Sequence, residues 1–257
     1  MAGHSKWSKV KRLKGNLDVK RGKLFSKLSK EIMIAAKLGG ENFLLSPRLK
    51  SAVQAARSQS MPNENIERAI KRGKRVTASS TTVTAMEPIL YEGYGAGGVA
   101  LIVEAVTDNK CRTAANLRSI FSKKCGVLCG PGSVSYLFHR KGQIFVSKNT
   151  LQEEWLLEVA LNAGAEDLVA DNDEAFAIIL TPPEQFYSVA EFLKRFHVPI
   201  VSQQLTFLPR KTVHVNDLQT ASNILQLCGA LEDDNDVLYV HSNFNISEGL
   251  LAKIHPN

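Results

Sequence analysis

The chain has 257 residues and a mass of 28.2 kDa, with 44% apolar and 22% charged residues. That is the composition of an ordinary globular protein of two or three domains, and it excludes whole-chain disorder, collagenous repeats and coiled coil. The densest apolar runs, Val99 to Val103 and Ala175 to Leu180, are far below the roughly 18 residues of a membrane-spanning helix. The net charge of +7 is unevenly spread: residues 1–75 hold 19 Lys+Arg against 5 Asp+Glu, a net of +14, and the other 182 hold 13 against 20, a net of −7. A cationic head is joined to an anionic body, and the head calls for a polyanionic partner. Four cysteines make no disulfide framework, and no secretory signal with an apolar core is present, so a cytoplasmic setting is expected.

In chain order, Leu24, Phe25, Leu28, Ile32, Ala35 and Ala36 recur at three- and four-residue spacing from Asp18 to Leu38 and predict an amphipathic helix stopped by Gly39-Gly40. A second helix is predicted from Pro47 to near Ser60 on Leu49, Val53 and Ala56. A third runs from Pro62 or Asn63 on Ile66, Ala69 and Ile70 to a stop at Gly73, with the basic residues of the module on outward faces. Residues 74–86, rich in Ser and Thr, read as a loop and domain boundary. Strands follow at Ile89 to Tyr91 and Val99 to Val106, then a helix from Arg112 to Lys124 and a strand from Ser133 to Phe138.

From Ile144 the order becomes strand (144–146), helix (151–163), strand (167–170), strand (175–180), helix (184–196) and strand (200–208). Thr150 and Glu153 stand at capping-box spacing before the first of these helices. This βαββαβ order is ferredoxin-like. The tail reads as a strand at 212–215, a helix from Asp217 to Leu227 with Gly229 behind it, and a strand at 237–241. Three elements close no core of their own, so they are expected to complete the set at 87–139. The expected fold is α+β and multidomain: a basic domain of three or four helices (1–75), a linker (76–86), a discontinuous α/β domain (87–139 plus 209–257) and an inserted ferredoxin-like domain (140–208).

The candidate nucleic-acid-binding residues are Lys6, Trp7, Lys9, Lys11, Arg12, Lys14, Lys20, Arg21, Lys23, Lys27 and Lys30, with Asp18 the one acid before Glu31. So dense a like-charged set repels itself, and phosphates with counterion release are the usual compensation; Trp7 either stacks on a base or plugs the bundle. The glycine-rich stretch Glu92 to Gly98 is followed by a strand rather than a helix, which makes it a hairpin connection and not a dinucleotide loop. Its Gly93, Tyr94, Gly95, Gly97 and Gly98 remain a possible contact loop. Cys111, Cys125, Cys129 and Cys228 lack zinc-ligand spacing, and six scattered histidines form no nucleophile motif, so neither a metal nor a cofactor nor catalysis is expected. The acidic turn Glu232-Asp233-Asp234-Asn235-Asp236 lacks the glycine and distal glutamate of a calcium loop. It belongs to an acidic face that should avoid nucleic acid or meet basic protein.

The segments AGHSKW, KRGKLFSKLSKEI, PRLKSAV, MPNENIERAIKRG, YEGYGAGGVALIVEAVTDN, GSVSYLFHRKG and LEDDNDVLYVHSNFNI, in this order and across nearly the whole chain, resemble the YebC/PmpR family. Ala96 stands where that family usually has proline, His139 where an acid is common, and Cys125 and Cys129 interrupt a stretch normally rich in glycine and asparagine. The resemblance implies three domains, the last inserted in the middle one, and no catalytic residues. It also implies a cytoplasmic DNA-binding transcriptional regulator; a mitochondrial branch activates translation, and bacterial members are linked to ribosomes stalled on proline-rich stretches. The resulting expectation is a non-enzymatic regulator of gene expression that grips nucleic acid through its basic helices, with a factor bound to the ribosome or its RNA as the alternative. An enzyme using the glycine-rich hairpin on a phosphorylated small molecule and a pure protein adaptor are the rival classes.

Overall fold

The structure is a computed structural model that describes residues 17–39, 46–78, 86–148, 152–170 and 176–254. Two compact units divide the chain, one made of residues 1–138 and 209–257 and the other of residues 139–208.

The first unit opens with three helices, α1 (Leu17–Leu38), α2 (Pro47–Ser58) and α3 (Asn63–Ala78). Leu28, Ile32, Ala35 and Ala36 of α1 meet Leu49, Ala52 and Ala56 of α2 and Ile66 and Ala69 of α3 in one apolar cluster, sealed by Met61 in the turn between the last two. The predicted stop at Gly73 is overturned, and α3 continues to Ala78. A Cβ at Gly73 would lie 2.5 Å from the Met33 carbonyl oxygen and 2.8 Å from the Ala36 Cβ. The glycine therefore lets two helices touch rather than ending one. For the same reason the first residues of the expected 74–86 loop are helical, while residues 79–85 lie outside the described residues.

A four-stranded antiparallel sheet follows: β1 (Glu87–Tyr94), β2 (Ala100–Thr107), β3 (Val127–Cys129) and, from the tail, β9 (Val237–Ser242), in the order β3-β1-β2-β9. β1 and β2 form a hairpin from Glu87 opposite Thr107 to Tyr94 opposite Ala100. Its turn runs through a short 3-10 segment, Ala96–Gly98, where Gly97 and Gly98 take φ of 66° and 72°, values that glycine adopts without penalty. Val99, Leu101 and Val103 pack against Leu117 and Phe121 of α4 (Lys110–Lys123) and against Ile224, Leu227 and Leu231 of α7 (Leu218–Asp233). Ala100 and Ile102 point the other way and are also fully buried. Burial on both faces is why β2 reads as a continuous apolar run instead of an alternation.

Three further expectations change in this unit. Of the strand expected at Ser133 to Phe138, Phe138 alone is extended, while Ser133 to Leu137 is a bend and a 3-10 segment, Ser135–Leu137, because the amides of Val134 and Ser135 bond a carboxylate and not a neighbouring strand. α7 passes through Gly229 to Asp233, since Cys228 and Leu231 extend its buried stripe beyond that glycine. The tail also adds β10 (Phe244–Ile246), parallel to β8 (Val213–Val215), and a closing helix α8 (Glu248–Ile254).

The second unit takes up β4 (Phe138–Ser147), which begins at the end of the first, and continues with α5 (Glu153–Asn162), β5 (Asp167–Ala170), β6 (Phe176–Thr181), α6 (Phe186–Arg195) and β7 (Ile200–Pro209). Its strand order is β5-β6-β4-β7, with β6 antiparallel to both β4 and β5. Ile144 and Val146 of β4 and Ala177 and Ile179 of β6 form one core with Leu156 and Val159 of α5 and Phe186, Val189 and Leu193 of α6. The cap of α5 is Gln152, without a side-chain hydrogen bond, and Thr150 of the expected capping box lies outside the described residues.

Candidate nucleic-acid interface

Of the eleven basic and aromatic positions singled out from the sequence, Lys6, Trp7, Lys9, Lys11, Arg12 and Lys14 lie outside the described residues, and Lys20 and Arg21 are placed on α1 by backbone alone. The last three have a geometry of their own. Lys23, Lys27 and Lys30 are spaced i, i+4, i+7, so they share one face of α1, and that face meets the acidic turn after α7. The Lys23 Nζ is 2.9 Å from Asp233 Oδ1, and the Lys27 Nζ donates to the Glu232 carbonyl at 2.8 Å. The Lys30 Nζ donates to Asp236 Oδ1 at 3.0 Å and to the carbonyls of Asn235 and Val106 at 2.6 and 3.2 Å.

Lys30 is therefore not on an outward face. It is only 7% exposed, and all three of its donors are used. Its partner Asp236 also accepts from Thr113 Oγ1 at 2.8 Å and from Arg112 Nη2 at 3.1 Å. Burial by itself would push the Asp236 carboxyl up, but the bonds from Thr113, Lys30 and Arg112 together outweigh it and hold the group below the usual carboxylate range. Next to Lys30 on α1, Glu31 Oε2 accepts from the Tyr239 hydroxyl at 2.8 Å, and burial raises the Glu31 carboxyl above its ordinary value. These bonds fasten the helical part to the sheet within one unit. The basic protein that the acidic turn meets is the chain's own first helix.

The outward cations lie elsewhere. α2 exposes Lys50 and Arg57, and α3 exposes Arg68, Lys71, Arg72 and Lys74. Arg68 and Arg72 are four residues apart and line a shallow groove with Asn65, Ala69 and, from α1, Ser29 and Met33. Arg68 pairs with Glu64 at 2.6 Å, where both side chains remain more than half exposed, so the pair is weakly held and readily exchanged. These residues contribute to the charge of the head, yet none is among the positions picked from its dense N-terminal run. The doublets Lys71-Arg72 and Lys74-Arg75 on a helix with a sharp apolar stripe are the signal that marks them.

The glycine-rich stretch divides. Gly93 and Gly95 are buried; a Cβ at Gly93 would meet the Val127 carbonyl oxygen at 2.6 Å and the Phe121 ring at 2.7 Å, so this glycine serves packing. Tyr94 is half-buried and donates its hydroxyl to the Ser133 carbonyl at 3.1 Å. Gly97 and Gly98 alone of these face solvent. Glu92, to which sequence reasoning gives no role, is buried, and its carboxylate accepts from the amides of Gly132, Val134 and Ser135 at 2.8, 2.6 and 2.9 Å. Burial pushes that carboxyl up and the three amides pull it down further, leaving it below the ordinary range.

Among the described residues no group of three or more His, Cys, Asp or Glu is arranged to hold a metal ion, and no helix is long and apolar enough to cross a membrane. His241 Nε2 is 2.6 Å from Glu104 Oε1, and the Cys228 thiol is buried, with its pKa pushed up by desolvation.

Two family models match the chain: residues 5–76 fit the TACO1/YebC protein N-terminal domain, and residues 86–244 fit the TACO1/YebC second and third domain. A protein of Aquifex aeolicus named "probable transcriptional regulatory protein" is 46% identical over 254 residues, covering 99% of this chain and all of that one. One of the same name from Persephonella marina is 45% identical over the same span. The crystal structure of a conserved hypothetical protein from Aquifex aeolicus superposes with a TM-score of 0.79 at 46% identity, over 91% of this chain and 93% of that one. The chain belongs to the TACO1/YebC family.

Proposed function

We propose that the chain is a non-enzymatic DNA-binding transcriptional regulator that holds the phosphate backbone with its basic N-terminal helices. One observation carries this reading: the head keeps exposed cations on α2 and α3, Lys50, Arg57, Arg68, Lys71, Arg72 and Lys74, after its inward lysines have been used within the fold. Four residues separate α2 from α3, and the second helix of this short-turn pair bears most of those cations, an arrangement suited to lying along a duplex. Lys6, Lys9, Lys11, Arg12, Lys14, Lys20 and Arg21 extend the same charge along the chain. Relatives named as transcriptional regulatory proteins support the regulatory class.

The domain plan that goes with this reading is a basic head whose last helix runs on past residue 75 to Ala78, a linker between that helix and residue 87, a discontinuous domain at 87–139 plus 209–257 and an inserted ferredoxin-like domain at 140–208. A regulator of this kind works in the cytoplasm and requires no cofactor. Backbone contacts set position and base contacts set sequence. Lysines outnumber arginines in the N-terminal run, where Arg12 and Arg21 are the only arginines before Arg48, so that run positions the backbone, and the arginines exposed on α2 and α3, Arg57, Arg68 and Arg72, are the head's candidates for reading guanine.

Equilibrium binding of duplex DNA across a salt series tests the reading. If six to ten phosphates are engaged, affinity falls by about 10³ to 10⁵ between 50 and 200 mM salt, and a flat response overturns it. Sucrose-gradient sedimentation of lysate separates the ribosomal alternative. A soluble protein that footprints promoters supports regulation of transcription, whereas co-sedimentation with ribosomes that survives DNase moves the partner to ribosomal RNA.

A further inference from the structure

The body is anionic overall, but its charge is not uniform. Five of the 13 basic residues beyond residue 75 fall within residues 110–124, namely Lys110, Arg112, Arg118, Lys123 and Lys124, and no acid falls among them. These residues form α4 and its C-terminal cap. The helix buries Thr113, Leu117 and Phe121 and exposes two adjacent rows on the opposite side: Arg112, Asn116, Ser119 and Lys123 in one, Cys111, Ala115, Arg118 and Ser122 in the other.

The basic residues of α4 differ in how they are used. Lys110 pairs with Glu87 at 2.7 Å, Arg112 with Asp108 at 2.6 Å and Asp236 at 3.1 Å, and Lys124 donates to Gln226. Arg118 and Lys123, both exposed, have no carboxylate partner among the described residues. A cation near the C-terminal end, such as Lys123, also complements the helix dipole; Arg118, in the middle of the helix, has no such role. Between and around these two cations stand only short side chains, Ala115, Asn116, Ser119 and Ser122, which allow close approach and include hydroxyl and amide donors of the kind that bond phosphate oxygens.

Position adds to charge. Arg112 at the start of α4 and Lys30 of α1 share the carboxylate of Asp236, so α4 begins at the junction with the basic head and runs on for about 21 Å, its first-turn cations paired and Arg118 and Lys123 beyond them. We propose that this acid-free outward face, centred on Arg118 and Lys123, is a second phosphate-binding surface that extends the head's hold on duplex DNA onto the otherwise anionic body. The proposal rests on the reading that the head binds DNA.

The test is a salt series of equilibrium binding to a mixed-sequence duplex DNA, using the full chain and three variants: Arg118→Gln/Lys123→Gln, Ala115→Glu, and Arg68→Gln/Arg72→Gln in the head. The proposal expects the first variant to flatten the slope of log K against log salt by about 1.8, at about 0.9 for each phosphate that is no longer neutralised. It expects Ala115→Glu, which sets an acid on the same face of a helix that tolerates it, to weaken binding at low salt with an unchanged melting temperature. Wild-type slope and affinity in both α4 variants, with a flattened slope in the head variant, overturn the second surface and leave the head reading standing. A wild-type chain that fails to bind, or binds without salt dependence, overturns both.

Discussion

Two sets of cations in the helical head, equally basic in the sequence, have opposite fates. Lys27 and Lys30 turn inward onto the Glu232 to Asp236 turn, with Lys30 buried among three acceptors, while Lys23 makes an exposed pair with Asp233 at its rim. Arg68, Lys71, Arg72 and Lys74 of α3 turn outward and stay exposed. A lysine run is thus not one functional unit: which residues bind a partner and which hold the fold is decided by what packs against each face of the helix. Inward groups should be costly to remove and irrelevant to salt-dependent binding, and outward ones the reverse.

The sharpest way to break this comparison is Lys30→Met. Removing one member of a buried ion pair leaves Asp236 short of its counter-charge and should cost about 3–5 kcal/mol, measured as a shift in the urea midpoint. A loss no larger than that of Arg72→Gln, expected within about 0.5 kcal/mol, would show that the inward set is not structural. Next comes Gly73→Ala. A methyl group held 2.5 Å from the Met33 carbonyl oxygen forces α1 and α3 apart at about 1–3 kcal/mol. Gly22→Ala, exposed on α1 with nothing within 4 Å, should instead stabilise by up to about 1 kcal/mol. The opposite signs of two identical substitutions in one helix pair separate packing from propensity.

Glu92→Gln tests an inward acid. Its folded-state carboxyl is held below the ordinary range by amides, so its contribution is present above the unfolded carboxylate pKa of about 4.3 and is lost as pH falls through the depressed folded value. At neutral pH the glutamine variant, whose amide sets a donor against a donor, should be less stable by about 1–3 kcal/mol. The gap from wild type should close as the pH drops below about 4.3. A gap independent of pH would contradict the assignment.

Much of the head is legible in the sequence because α1, α2 and α3 bury a single apolar stripe each, and three- and four-residue spacing reports that directly. The second unit is legible because its strands and helices alternate with short, polar connections. What the sequence hides depends on distant partners. Gly73 and Gly229 look like stops until Met33 and the buried neighbours of α7 are in place. The role of Glu92 becomes visible only once residues 132–135 fold over it. The basic helix and the acidic turn are each legible, but Lys30 and Asp236 are separated by 206 positions, and no local signal says that they meet. The cations of α3 are legible as the doublets Lys71-Arg72 and Lys74-Arg75, but the longer lysine run before Glu31 outweighs them, and only the fold shows that part of that run is used internally.

Whether the outward cations of the head hold phosphates is decided by the salt dependence of duplex DNA binding for the wild-type chain and for Arg68→Gln/Lys71→Gln/Arg72→Gln/Lys74→Gln. The expected result is a steep wild-type slope that flattens by about 0.9 for each phosphate released by the substitutions, with the fold intact by circular dichroism. An unchanged slope in the fourfold variant, or a flat slope in the wild type, would contradict it.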